Sequence, residues 1–323
     1  MIKAKGKKKI GLALGGGSAL GLCHIGILEI LEKNGIYPDY IAGTSMGAVV
    51  GALYCAGKSP EEIKRIAQGT DWKAIVDFDV PKFGLIKGKL IEKRIRELVD
   101  NKKFSQLNPK LNVVAYNYSQ KEEVVFSKGD VTEAVRASMS IPGIFNPVKI
   151  GKDKYIDGGV SNPTPFDVVK EMGADIVIAV DLCQRTKTGK SPVVKRITFY
   201  DEIKKMFIVE ELLNIKNYIF PSRWPGFIKK TLIWLFDKLL YPAKVLRMAT
   251  GRKTPEITKM MVETFQLLSN NLARERIKHA DVELKVIPDL SDFNWMGFEN
   301  VNGIIELGEK AMKKEMFKLK KLL

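Results

Sequence analysis

The chain has 323 residues, of which 45% are hydrophobic, and this is enough to bury the core of one large domain or of one domain with an insertion. Its 53 Lys and Arg residues exceed its 37 Asp and Glu residues, so the net charge of +16 favours an anionic partner. The lysines are scattered through predicted helices without a nucleic-acid-binding motif. We therefore expect an anionic membrane surface as partner and no nucleic acid.

The cysteines and the apolar segments bear on the cellular compartment. Cys23, Cys55 and Cys183 have neither the C-x-x-C spacing nor the even number of a disulfide framework or zinc site. The apolar stretch Ile10–Leu14 runs into glycines and is too short for a signal peptide. No stretch reaches the roughly 18 apolar residues of a membrane-spanning helix. We expect a cytoplasmic protein that contacts membranes only peripherally and holds no metal.

The predicted elements alternate between strands and helices along most of the chain. In the first half they are a strand at 10–14, a helix at 21–34, a strand at 40–42, a helix at 48–56, a hairpin of 111–117 and 122–127, and a helix that follows Asp130 and runs through Ser138. In the second half they are a strand ending at Ile156, a helix at 165–172, a strand at 175–180, a helix at 254–273, a strand at 282–287 and a helix at 301–319. Continuous apolar strands such as 175–180 are typical of a parallel sheet covered on both faces, so we predict an α/β fold in three layers.

Residues 187–253 differ from the rest, since they lack strand patterns and combine Pro, Lys and aromatic residues. We predict a helical insertion, a lid or membrane-contact module, within a catalytic domain formed by residues 9–186 and 254–323. Within the insertion, residues 226–240 place bulky apolar side chains at three- and four-residue steps among lysines, as an interfacial helix does. The expected membrane-contact residues are Phe227, Lys229, Lys230, Trp234 and Phe236. A helix in the core of the insertion is the alternative.

The strongest chemical signal is the sequence Gly43-Thr44-Ser45-Met46-Gly47 between a predicted strand and helix. This context is the one that a nucleophile elbow requires. The serine occupies a strained turn, and side chains at Gly43 or Gly47 would collide across it. The start of the following helix supplies positive potential where an oxyanion forms. We predict that Ser45 is a nucleophile.

The base that activates this serine has two candidates. The order Ser45, Asp157, His279 is that of an α/β-hydrolase triad, but His279 lies in a charged helix end and a solvated histidine explains it as well. His24 precedes the serine within the first helix, where packing or a local hydrogen bond explains it. Alternatively Asp157 acts directly on the hydroxyl, and Gly158 and Gly159 permit the sharp turn that brings it close. Such an aspartate needs a dry pocket that raises its pKa.

A glycine-rich loop, residues 14–21, follows the first strand. Exposed backbone N–H groups at the start of a helix can hold a phosphate or a tetrahedral oxyanion. Dinucleotide binding is the rival interpretation. The G-x-G-x-x-G pattern read from Gly15 has Leu20 where its last glycine belongs, and Asp39 precedes the second strand instead of ending it.

In this order, the glycine loop, the G-x-S-x-G segment and Asp157-Gly158-Gly159 resemble the patatin-like phospholipase family, bacterial branch. Residues 21–28, 137–143 and 281–290 are also similar to family segments, and the resemblance covers about residues 9–185 and 255–312. It implies a patatin-like fold in which Ser45 is the nucleophile and Asp157 the base, with no metal, histidine or cofactor. The implied oxyanion hole consists of the backbone N–H groups of Gly15, Gly16, Gly17 and Ser18.

Two positions depart from the family pattern, which commonly has a glycine in place of Ser18 and an arginine in place of Leu20.

The resemblance implies a serine acyl hydrolase of phospholipase A or lysophospholipase type that cleaves lipid esters through an acyl-serine intermediate. An idle lipid-binding or scaffold protein of the same fold is one alternative. A histidine-dependent α/β-hydrolase is the other.

Overall fold

The computed structural model describes residues 8–72, 74–77, 84–182 and 256–323. Their strands, β1 to β10 in chain order, are Ile10–Leu14, Tyr40–Thr44, Gly84–Ile86, Lys110–Asn117, Glu122–Phe126, Gly143–Phe145, Val148–Ile150, Asp153–Asp157, Ile176–Val180 and Leu284–Val286. Their helices, α1 to α8, are Cys23–Lys33, Met46–Cys55, Pro60–Gly69, Lys89–Leu98, Val131–Ser138, Phe166–Glu171, Glu256–Lys278 and Val301–Leu322. None of the helices in these ranges is both long and apolar enough to cross a bilayer. The predicted insertion, with Phe227, Lys229, Lys230, Trp234 and Phe236, lies outside the described residues.

One large sheet organises these elements. Its strand order is β10-β9-β1-β2-β4-β8-β7, and β5 also pairs with β4. The strands from β10 to β4 in this order run parallel, whereas β5 and β8 are antiparallel to β4 and β7 is antiparallel to β8. Strands β3 and β6 form a separate two-stranded parallel sheet. The prediction of a mainly parallel α/β sheet is confirmed.

Helices cover both faces of this sheet because its side chains alternate between two buried cores. Leu12 and Leu14 of β1 belong to the larger core, with residues of α1, α2 and α8. Ala13, which points the other way, belongs to a smaller core that includes Val168 and Val169 of α6. The result is the predicted arrangement of three layers.

Several element boundaries and two helices differ from the sequence prediction. Helix α2 begins at Met46, two residues before the predicted start, so Ser45 itself is the N-cap residue. Helices α3 and α4 were not predicted, although α3 carries a clear start signal in the capping box of Ser59 and Glu62. Helix α4 has Gly88 at its N-cap and no side-chain cap, so its start gives only a weak signal.

Helices α1 and α8 approach each other closely at two glycines. A Cβ atom at Gly26 of α1 would overlap the carbonyl oxygen of Ile305, and one at Gly308 of α8 would overlap that of Cys23. Because these contacts involve backbone atoms, the helices can accept a side chain only by moving apart. The two glycines therefore set how deeply α8 packs on the larger core.

We expect Gly308→Ala to lower the free energy of unfolding by about 1–3 kcal/mol, the usual cost of overpacking. Gly69→Ala in α3 is the matched control, because its added Cβ meets no atom within 4 Å, and it should not lower stability. Urea unfolding of both variants measures the difference. Equal stability of the Gly308→Ala variant and the wild type would contradict the close-packing argument.

Candidate active site

Ser45 lies in a strained turn between β2 and α2. Its φ of 54° and ψ of −121° form a conformation that a non-glycine residue adopts at a cost of about 1–3 kcal/mol. A Cβ atom at Gly43 would lie 2.6 Å from Cα of Ala48, and one at Gly47 would overlap the carbonyl oxygen of Leu14. Glycine is thus required at both positions. A side chain at Gly43 would collide with the backbone on the other side of the turn, as predicted. A side chain at Gly47 would instead collide with the end of β1.

The register of the sheet brings Asp157 to this turn. Strands β2 and β5 pair with Val113 and Val114 on opposite edges of β4. One residue further, Ala115 still pairs with β5 and now also with Asp157 of β8. On one edge of β4, strand β2 pairs as far as Thr44 and β8 pairs with the residues beyond it. Asp157, the last residue of β8, therefore lies next to Ser45, which follows β2.

Asp157 is almost completely buried, with 1% of its surface exposed. Burial raises the pKa of its carboxyl to about 7, although the hydrogen bond from the N–H of Gly159 and the proximity of the Ser45 hydroxyl lower it. Oδ1 accepts the N–H of Gly159 at 2.7 Å. For Oδ2, no hydrogen-bond partner occurs in the described part of the chain. Gly158 is packed against the carbonyl of Val114. The carboxylate is therefore dry and more basic than an ordinary aspartate.

The glycine loop lies directly beside Ser45, since a Cβ atom at Gly16 would be 3.3 Å from that of Ser45. The N–H groups of Gly15 and Gly16 are already used, because they donate to the carbonyl oxygens of Val180 and Pro163 at 3.1 and 2.8 Å. For Gly17 and Ser18, by contrast, no N–H acceptor occurs among the described residues. Of the four N–H groups predicted to form the oxyanion hole, only these two are thus without an acceptor in the described part of the chain.

The two departures from the family pattern have distinct structural settings. Ser18 has a φ of 50°, a left-handed conformation that glycine adopts without cost. Its backbone therefore has the shape that a glycine would give, and its N–H is available. Leu20 is 1% exposed and belongs to the larger hydrophobic core, so its side chain contributes to packing.

The two histidines of the chain have different settings, and neither lines a cavity at Ser45. His24 is fully buried, and burial lowers its pKa to about 4, so it is neutral at pH 7. Its Nε2 lies 2.7 Å from the carbonyl oxygen of Gly15, which can only accept, so Nε2 carries the proton and anchors the glycine loop. His279 has 73% of its side chain exposed and pairs with Glu275 at 3.8 Å. It lines neither of the two cavities that meet at Ser45.

Two cavities of different character meet at Ser45. A small cleft with about 340 Å³ of empty space has a mixed polar and apolar lining, which includes Gly17, Ser18, Ser45 and Asp157. The larger cavity, with about 1170 Å³ of empty space including its open mouth, is lined mainly by apolar side chains, among them residues of α2, α3 and α4. Ser45 and Ser18 line both. An ester carbonyl at Ser45 would thus have its acyl chain and its polar part in different environments.

Some residues of the site were not found from the sequence. Helix α7 lines the cleft through Phe265, Gln266, Ser269 and Asn270, although its sequence predicted only an amphipathic helix. Ser138 accepts the backbone N–H of Ser45 at 2.8 Å and is fully buried. A single serine at a helix end carries no sequence signal for such a contact, because the contact spans 93 residues of chain.

A serine in a strand-turn-helix elbow, at the carboxyl edge of a parallel sheet and beside free backbone N–H groups, is the arrangement of serine-dependent hydrolases. Residues 12–170 match the sequence model of the family described as Patatin-like phospholipase. The chain therefore carries a domain of the patatin-like phospholipase family.

Individual relatives agree with this assignment. An uncharacterized NTE family protein of Mycobacterium bovis is 32% identical over 184 residues, which are 56% of this chain and 51% of that protein. Lysophospholipase NTE1 of Debaryomyces hansenii is 30% identical over 258 residues, or 77% of this chain and 16% of that protein. The chain thus spans at most about half of the length of these relatives. The crystal structure of VipD from Legionella pneumophila superposes with a TM-score of 0.50 at 13% identity, covering 96% of this chain and 67% of VipD, and supports the fold.

The raised pKa of Asp157 predicts that Asp157→Asn stabilises the protein at alkaline pH. Above pH 7 the Asp157 carboxylate is charged in both states, but it is buried in the folded protein and solvated in the unfolded chain. The wild type therefore loses stability as the pH rises from about 4, the pKa in the unfolded chain, to about 7, the pKa in the folded protein. We expect a gain of at most about 4 kcal/mol for the variant at pH 8. The gain should fall to about 0.5 kcal/mol at pH 4, where the folded carboxyl is protonated and the unfolded one is about half protonated. Urea unfolding at the two pH values measures it, and an equal gain at both would contradict the assignment.

Proposed function

We propose that this chain is a serine acyl hydrolase of phospholipase A or lysophospholipase type, with Ser45 as nucleophile and Asp157 as base. Lipid acyl hydrolysis is the activity that membership of the patatin-like phospholipase family supports, and one relative is named a lysophospholipase. The observation that carries the proposal is the position of Ser45. Its strained turn lies beside a buried carboxylate of raised pKa and opens into a large apolar cavity.

The proposed reaction has two stages. Asp157 takes the proton of the Ser45 hydroxyl while the Ser45 oxygen attacks the ester carbonyl carbon, and the N–H groups of Gly17 and Ser18 bind the resulting oxyanion. The C–O bond of the ester then breaks, and the departing alcohol takes the proton from Asp157. In the second stage Asp157 accepts a proton from water, which attacks the acyl-serine. The fatty acid leaves and Ser45 regains its proton.

The apolar cavity is the proposed site of the acyl chain. Met46, Val49, Val50 and Leu53 line it along one face of α2. Leu53 is seven residues from Met46, so at 1.5 Å per residue the lined face extends about 10 Å from the nucleophile. A cavity of this depth suits a medium or long acyl chain, whose burial supplies binding energy in proportion to its apolar area.

The proposed partner of the whole protein is an anionic membrane surface, which supplies the phospholipid substrate. The net charge of +16 supports this. The assignment of Phe227, Lys229, Lys230, Trp234 and Phe236 to membrane contact stays a prediction, as does the division into a catalytic domain and an insertion. The pairing of β10 with β9 supports placing the two catalytic segments in one domain.

Removal of either proposed catalytic group should strongly lower turnover. We expect Ser45→Ala and Asp157→Asn to lower kcat by about 10²–10⁴-fold, the usual contribution of such groups, whereas His279→Ala keeps wild-type activity. Fatty-acid release from anionic phospholipid vesicles and from a soluble butyrate ester measures this.

The same assay separates the alternatives. A His279→Ala variant as inactive as Asp157→Asn would establish the histidine-dependent hydrolase. A folded wild type that binds vesicles but releases no fatty acid from either substrate would establish the idle lipid-binding protein.

The pH dependence of the reaction should follow Asp157. Because burial raises the pKa of this carboxyl to about 7, the folded enzyme holds it protonated at pH 5, where it cannot accept the serine proton. We expect kcat/KM for the butyrate ester to fall tenfold per pH unit below about 7. An acid limb near pH 4, the value of an ordinary aspartate, would show that Asp157 is not the base.

Acyl-chain preference should depend on the width of the apolar cavity. Val50 lies one turn from Met46 and is 2% exposed, so Val50→Phe fills the middle of the cavity. We expect its hydrolysis of a palmitoyl ester to fall at least about tenfold relative to that of a butyryl ester. Val125→Phe, on strand β5 outside the cavity, is the matched control and should leave the ratio unchanged. An unchanged ratio in Val50→Phe would place the acyl chain elsewhere.

A further inference from the structure

The backbone of the proposed nucleophile is held by a side chain that contacts no substrate site. The N–H of Ser45 donates to the hydroxyl oxygen of Ser138 at 2.8 Å, and that hydroxyl lies 2.6 Å from the carbonyl oxygen of Val114. Since a carbonyl can only accept, the Ser138 proton points at Val114 and a lone pair faces Ser45. Ser138 is fully buried and lines neither cavity.

The same short segment also holds the proposed base. The N–H of Asp157 donates to the carbonyl oxygen of Ser140 at 3.0 Å. Arg136, which is 1% exposed, donates to the Ser140 hydroxyl at 2.7 Å and to the carbonyl oxygen of Lys87 at 2.8 Å. The end of α5 and the two residues after it thus connect both members of the pair through buried hydrogen bonds.

We propose that Ser138 is a positioning residue for the reaction, because its hydroxyl fixes the turn that presents Ser45 to Asp157. The inference rests on the proposed roles of Ser45 and Asp157. A backbone conformation as strained as that of Ser45 persists only where its surroundings enforce it. Without the Ser138 hydroxyl, the buried N–H of Ser45 loses its acceptor, and the turn relaxes to find another. A displacement of about 1 Å at the reacting oxygen is enough to lower the rate about a hundredfold.

The test compares two deletions of a hydroxyl from the same helix. Ser138→Ala removes the contact, whereas Thr132→Val removes a buried hydroxyl for which no hydrogen-bond partner occurs among the described residues. We expect Ser138→Ala to lower kcat for the butyrate ester, and the rate at which a fluorophosphonate reagent labels Ser45, by about 10- to 100-fold with KM little changed. Thr132→Val should match the wild type in all three measurements. Ser138→Cys, a weaker donor and acceptor of similar shape, should fall between the alanine variant and the wild type.

Thermal unfolding of each variant is followed alongside, so that rates are compared where all are folded. Wild-type labelling and kcat in folded Ser138→Ala would overturn the positioning role, as would a loss confined to KM. If Ser138→Ala does not fold, wild-type rates in Ser138→Cys would overturn it instead. A wild type that neither reacts with the reagent nor turns over ester would refute the proposed function and this inference together. An active wild type with an unimpaired Ser138→Ala variant would refute the positioning role alone.

Discussion

Strand pairing along one edge of β4 sets the positions of both Ser45 and Asp157. Strand β2 pairs with the first half of this edge and β8 with the second, in opposite directions, so the two strands meet where β2 ends. Ser45 follows β2 and Asp157 ends β8, which places the hydroxyl and the carboxylate side by side although β2 and β8 do not pair with each other. A shift of β8 by one residue along β4 would turn the Asp157 side chain to the other face of the sheet. The position of Asp157 is therefore as well defined as the sheet register itself.

Burial gives the polar groups around this edge their chemical properties. The same dry surroundings raise the pKa of Asp157 to about 7 and lower that of His24 to about 4, because burial disfavours the charged form of each. The consequences differ. Asp157 becomes a stronger base near neutral pH, whereas His24 is confined to a neutral tautomer that binds the Gly15 carbonyl. The free energy that these buried groups cost the fold has to come from the burial of the hydrophobic side chains around them.

The strained backbone of the site is stabilised by groups from several layers. Ser45 and Ser18 both have a positive φ, and both are buried. Ser138 from α5 binds the turn of Ser45, and Trp295, which precedes α8, binds the N–H of the residue after Ser18. Strain of this kind is found where a site must be held ready before substrate arrives.

The sequence by itself determined the fold class, the nucleophile motif and the approximate positions of most strands. This was possible because apolar periodicity and closely spaced glycines express local requirements, such as the room that Gly43 and Gly47 leave around Ser45. Helices α3 and α4 escaped prediction even though α3 has a capping box, and the start of α2 was placed two residues late. The sequence also suggested four oxyanion donors. Only the fold showed that Gly15 and Gly16 give their N–H groups to Val180 and Pro163.

The order of residues along the chain could not decide whether Asp157 or His279 is the base, because a Ser-Asp-His triad and a Ser-Asp dyad are both compatible with it. The tertiary structure places Asp157 in a dry pocket beside Ser45 and His279 on an exposed helix end. The contact of Ser138 with Ser45, the face of α7 over the cleft and the apolar cavity were likewise beyond prediction. Each of them joins segments far apart in sequence, and local patterns carry no information about which distant atoms will meet. Local conformation was therefore determined by the sequence pattern, whereas the surroundings of each polar group were decided only by the packing of the whole chain.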